Sequence, residues 1–180
     1  MRIFFCFLSY LFIIEVCASS WLDPGNYDIT WYNSSDEEYV ISTNKQLAGL
    51  AYLVNNGYTD LTSKRILIGG DIDLSQHNWE PINTIKTAII DGQSHCITGI
   101  KIDDDLSNPH VGFFRYISGV SIMNLNVYGT TYFYGRGNFN FNTSYTHPSC
   151  GGLVGLGYNS SISNCDIDIE LIFKQKAFGN

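Results

Sequence analysis

Positive charge is scarce in this sequence: ten Lys and Arg stand against seventeen Asp and Glu, a formal charge of −7 over 180 residues. That balance argues against nucleic acid and anionic membrane surfaces as partners, because both repel an acidic chain. Long apolar runs are missing too. The run IFFCFLSYLFII after Arg2 is shorter than the roughly 20 residues a membrane-spanning helix needs. Basic residue, apolar run and the small residues of VCASS come in the order of a secretory signal peptide, expected over residues 1–18 with cleavage after Ala18. Cleavage removes Arg2 and Glu15 together, so the charge is unchanged.

Cysteine is equally sparse. Without Cys6 and Cys17 the chain keeps Cys96, Cys150 and Cys165, an odd set that does not read as a disulfide scaffold. Cys150 and Cys165 could still pair, the alternative being an inert thiol at Cys165 in an apolar slot. There is no H-E-x-x-H and no Cys-x-x-Cys, and His77, His95, His110 and His147 are scattered, so zinc has no ligand set. The glycines of 151–157 do not fit G-x-G-x-x-G and lack a P-loop lysine, which excludes a phosphate cradle.

What is present is one helix and many short strands. Residues 19–38 form a polar, aromatic leader without a clear period, expected to run extended, and Tyr39–Ile41 reads as a strand. Leu47, Leu50, Ala51 and Val54 then recur at i, i+3, i+4 and i+7. Thr43 and Gln46 fit a capping box and Gly57 a stop, which predicts a helix over about 43–56. From Arg65 onward short apolar runs alternate with Gly, Asn, Asp and Ser, the pattern of an all-β region.

Those runs repeat. GFFRYISGVSIMNLNV (112–127) lies on GLVGLGYNSSISNCDI (152–167) without a gap at a shift of 40, matching Gly112 to Gly152, Ile122 to Ile162 and Asn124 to Asn164. A weaker copy, Ile97, Ile100 and Ile102, has the spacing of Ile122, Leu125 and Val127 at a shift of 25. A strand-and-turn repeat buries its apolar face only by stacking on the next copy, so the expected fold is a parallel β-helix over 39–180. Ile97, Ile122 and Ile162 would form one inward row, and Ile100, Leu125 and Cys165 another. Asn124 and Asn164 would share a corner, left-handed and bonded to each other. The two shifts differ by an insertion placed at about 128–150.

With these stretches the chain resembles secreted repeat proteins carrying the GLUG motif, found on bacterial surfaces, in adhesins and in IgA-type metallopeptidases. The resemblance rests on VISTNKQLAGLAYLVNNG (40–57), ILIGGDIDLSQHNWEPI (66–82), IIDGQSHCITGIKI (89–102) and the two glycine-led repeats. It implies a right-handed parallel β-helix with the helix as its amino-terminal cap. The sequence departs from the family at Ser94, where a second Gly is usual, and it stops after two full glycine-led repeats, so it is read as part of a longer coil. The peptidase activity of some relatives is not carried, because their metal-binding helix is absent.

The fold alone assigns no activity. The insertion TTYFYGRGNFNFNTSYTHPS interleaves aromatics with Gly, Asn and Ser. Tyr132, Tyr134, Phe139, Phe141 and Tyr145 are therefore candidate ligand contacts, suited to stacking and hydrogen bonding on an extracellular glycan or protein. Equally, YFYG and NFNFN have the period of strands. Asp71 and Asp73 share a strand face and would be the first ligands of a Ca²⁺ ion, although turn formation accounts for them as well. No other cofactor is implied. Glu80 and Asp91 could be proposed as paired carboxylates of a polysaccharide-cleaving enzyme. Asn33, Asn142 and Asn159 head glycosylation sequons, meaningful only in a eukaryotic secretory pathway. The expected function is a secreted or cell-surface binding module, with a polysaccharide enzyme or a passive spacer as alternatives.

Overall fold

In the computed structural model, which describes residues 19–104, 110–135 and 149–175, the chain is built mostly of short parallel strands with one helix. The sequence of strands is set by where the apolar runs break. One sheet contains β1 (Glu38–Ile41), β2 (Arg65–Ile68), β5 (Ile89–Asp91), β9 (Ser121–Met123) and β13 (Ser161–Ser163), in that order. A second runs β3 (Ile72–Asp73), β6 (Cys96–Asp104), β10 (Asn126–Gly135), β14 (Asp166–Gln175). The third runs β4 (Ile82–Lys86), β8 (Phe114–Ser118), β12 (Val154–Tyr158). A two-stranded pair, β7 (His110–Val111) and β11 (Ser149–Cys150), completes the set.

Among the described residues every strand pairing is parallel; α1 lies between β1 and β2, and from β2 onward the chain passes through the other two large sheets before it returns to add the next strand. The register places Tyr39, Ile66, Ile90, Ile122 and Ile162 side by side. In the second sheet the row is Ile72, Ile97, Val127 and Ile167. Burial of Ile66, Ile90 and Ile122 in one row and of Ile72, Ile97 and Val127 in the other makes a continuous core, to which each Ile or Val contributes roughly 1.5–3 kcal/mol, while Ile162 is 50 % exposed and Ile167 only partly buried.

The shift of 40 is therefore a structural step, while the shift of 25 is not. Ile97 pairs with Val127 rather than lying beside Ile122, whose neighbour is Ile90. The likeness has a physical origin. In β6 a bulge at Gly99, with φ +67°, pushes the next inward residue from i+2 to i+3. Between β9 and β10 the left-handed Asn124, φ +54°, makes the same displacement at a corner. Two different devices thus produce one spacing of buried residues.

The helix α1 (Asn44–Asn55) has Thr43 as N-cap, with both halves of the capping box formed with Gln46. It buries Leu47, Leu50, Ala51 and Val54, together with Ala48 and Leu53, and packs against β4, the end strand of its sheet. Residues 19–37 fold as consecutive turns rather than as the extended run expected, with one bridge from Ser20 to Asn78. Trp21 anchors them: its ring is 1 % exposed and its Nε1 donates to the Leu74 carbonyl at 2.9 Å.

Candidate binding cleft

The cleft arises from how α1 meets the free edge of β4. An edge strand exposes unpaired N–H and C=O groups. Asn55, the last residue of α1, supplies the missing partners: its Nδ2 donates to Pro81 O at 3.1 Å and its Oδ1 accepts from Asn83 N at 2.8 Å. This amide works as one residue of an absent strand and locks helix to sheet. Just before it, Trp79-Glu80-Pro81-Ile82 turns into β4 with Trp79 and Ile82 in the core, Trp79 stacked on Phe113 at 4.9 Å. Glu80 is left pointing outward, where Oε1 accepts from Ser20 Oγ at 2.8 Å.

Around these groups opens a cavity of about 490 Å³. Asn55, Asn56 and Tyr52 form its helical wall; Glu80, Pro81 and Asn83 line the β4 side, with Arg115 of β8 and Leu22 of the leader closing it. Polar groups dominate. Asn56 uses its Nδ2 on the Tyr52 carbonyl, 2.8 Å away, which leaves its amide oxygen for a ligand. Behind the helical wall Tyr27, Tyr52 and Tyr58 stack face to face, centroids 4.2 and 6.1 Å apart. Hydrogen bonding to Tyr27 is the main reason the Tyr52 phenol titrates above its ordinary range. Tyr58, stacked on Tyr52, is 64 % exposed.

The residues singled out in the sequence are distributed differently. Tyr132 is half-buried in β10, in register with Asp103 and Ile172. Tyr134 belongs to the same strand, its side chain outside the described residues. The start of the expected insertion is therefore a paired strand. Phe139, Phe141, Asn142 and Tyr145 lie outside the described residues, as does His147. On β10 the outward Tyr128 donates to Asp166 Oδ2 at 2.8 Å, a bond that raises its pKa.

Asp71 and Asp73 point to different partners. Asp71 Oδ1 accepts from Cys96 N at 2.9 Å and meets His95 Nδ1 at 3.1 Å, contacts that hold its carboxyl below the usual range, the backbone bond foremost. Asp73 closes a turn by accepting from Ser75 N and Ser75 Oγ. Among the described residues no group of three or more His, Cys, Asp and Glu is placed to hold a metal ion. Asp91 does not line the cleft with Glu80: its carboxylate accepts from Asn124 Nδ2, Gln93 N and Arg65. Asp91 is thus a structural anchor rather than the second carboxylate of a pair.

Cys96, Cys150 and Cys165 are all in the thiol form, Cys165 half-buried with its Sγ donating to Ser163 O. Asn33 and Asn159 are exposed; Asn33 Oδ1 accepts from Ser35 N and Oγ within its own sequon. Among the described residues no helix is long and apolar enough to cross a membrane. The cleft went unseen in the sequence because its walls come from residues 22, 52–56, 80–83 and 115; the one legible sign was Glu80 within the Trp-x-Pro-Ile turn. Comparison with family models, curated proteins and solved structures gave no match.

Proposed function

We propose that the chain is an exported glycan-binding module, a right-handed parallel β-helix of GLUG-like repeats whose amino-terminal helix caps the coil and forms one wall of the binding cleft. The observation that carries this reading is the cleft's composition: side-chain amides, one carboxylate and one guanidinium around about 490 Å³, with the Tyr52 ring in the helical wall. Sugars present many hydroxyls that both donate and accept, and an amide offers both functions in one plane. An aromatic ring adds an apolar platform for the C–H face of a pyranose. Among the described residues Glu80 is the single carboxylate lining the cleft, which supports binding over the two-carboxylate chemistry of glycoside hydrolysis.

Glycan-array screening of the mature chain, followed by calorimetric titration with the best oligosaccharide, tests this. Wild type should bind saturably; Glu80→Gln with Asn83→Ala should weaken binding at least about tenfold, the loss of roughly 1.4 kcal/mol expected for one or two hydrogen bonds. Turnover of the sugar would restore the enzyme reading. Binding that survives the double substitution would move the site elsewhere.

A further inference from the structure

We propose that Tyr27 and Tyr52 are an oxidative cross-linking site, at which a haem peroxidase and hydrogen peroxide join the two rings into dityrosine and tie the leader covalently to α1. Their rings stack with centroids 4.2 Å apart and planes within 14° of parallel. The Tyr52 hydroxyl is hydrogen-bonded to both Tyr27 and Tyr58, so the phenol ends of the stack lie together and the ring carbons flanking each hydroxyl are brought side by side. Holding two reacting groups in contact makes their coupling effectively unimolecular. Tyr58 extends the stack at 6.1 Å and is 64 % exposed, which gives an oxidant access to a pair that is itself half-buried.

Each ring gives up one electron and one proton, and the two phenoxyl radicals couple through a carbon beside each hydroxyl, whose hydrogens then pass to the oxygens. In sum one C–H bond breaks on each ring, one C–C bond forms, and one hydrogen peroxide is reduced to two waters. Tyr32 and Tyr39 are placed less well: they stand 5.5 Å apart and tilted by 33°, and the Tyr39 hydroxyl, on a ring 4 % exposed, is committed to Asn33 O at 2.6 Å. Around Tyr27 the leader is otherwise held to α1 by hydrogen bonds, Asp28 N donating to Lys45 O at 2.8 Å and Lys45 Nζ to Gly25 O at 2.9 Å. A covalent bond there closes a loop in the unfolded chain and so raises the melting temperature. It also fixes two walls of the cleft to each other, because Leu22 of the leader and Tyr52 of α1 both line it.

The test treats the chain over residues 19–180 with a haem peroxidase and hydrogen peroxide, followed by denaturing electrophoresis and mass spectrometry of a proteolytic digest. Wild type should give a monomer lighter by two hydrogens, with dityrosine fluorescence, a fragment joining the Tyr27 and Tyr52 peptides, and a raised melting temperature. Tyr27→Phe and Tyr52→Phe keep the ring and the stack but remove the phenol, and each should abolish that fragment; Tyr32→Phe should leave it unchanged. An unaltered melting temperature of the Phe variants before oxidation separates loss of the phenol from loss of the fold. A wild type left without a cross-link under conditions that couple free tyrosine, or cross-linked only at other residues or between chains, overturns the proposal.

Discussion

Asn164 donates from Nδ2 to Asn124 Oδ1 at 2.7 Å, and Asn124 donates in turn to Asp91 Oδ1 at 3.0 Å. Both asparagines are left-handed, φ +52° and +54°, at the same corner of successive repeats. Asn tolerates this conformation at small cost because its short side chain bonds locally, whereas an Ala there loses the bonds and meets the steric penalty of about 1–2 kcal/mol. Asn124→Ala is expected to destabilise the chain by roughly 2–3 kcal/mol in urea unfolding, from the backbone penalty plus hydrogen bonds lost on both sides. Asn124→Gly should cost less, since it removes only the bonds. Equal losses for Ala and Gly would show that backbone strain plays no part. The glycines that lead the repeats serve a different need. None of Gly112, Gly151 and Gly152 has a positive φ; a Cβ on Gly112 would instead come within 2.7 Å of the Gly155 backbone nitrogen, so close approach of adjacent strands requires it.

Among the elements, α1 is the one that breaks the strand pattern, and Asn55 fixes it to the edge of β4. Asn55→Ala frees Pro81 O and Asn83 N together, for an expected loss of about 1–3 kcal/mol. Hydrogen exchange would check it: the amide of Asn83 should lose protection while strands β9 and β10 keep theirs. The helix and the in-register repeat were legible because capping residues and apolar period are local signals, written into Thr43, Gln46, Ile122 and Ile162. Alignment of Ile97 with Ile122 misled because inward spacing does not distinguish a bulge from a corner; Gly99 and Asn124 both insert a left-handed residue. The cleft was illegible for the converse reason. Nothing local ties Asn55 to Asn83, 28 residues apart; only the return of the chain to the β4 edge joins them.

For the whole molecule, acidity and stability are linked through carboxylates that are bonded in the fold. Asp91 is held below the ordinary carboxylate range by Asn124 Nδ2 first, then by Gln93 N and Arg65. Asp60 is lowered by the Thr62 hydroxyl, and Asp28 and Asp71 chiefly by backbone N–H groups. A depressed folded-state pKa contributes stability that is present above the unfolded value of about 3.9 and lost as pH falls through the folded one. The melting temperature is therefore expected to hold down to about pH 5 and to fall below about pH 4, with a shallower fall in Asp91→Asn. An equally steep acid limb in that variant would remove Asp91 from the account.

Glycan recognition at the cleft is the claim on which the functional reading turns, and residue-resolved NMR tests it most directly. Backbone and side-chain amides of the ¹⁵N-labelled chain over residues 19–180 would be followed during titration with an oligosaccharide that binds. The account predicts saturable shifts concentrated at Asn56, Asn83 and Arg115, the lining groups on α1, β4 and β8. Shifts clustered instead along β10 and the segment after it, with the cleft unmoved, would contradict it.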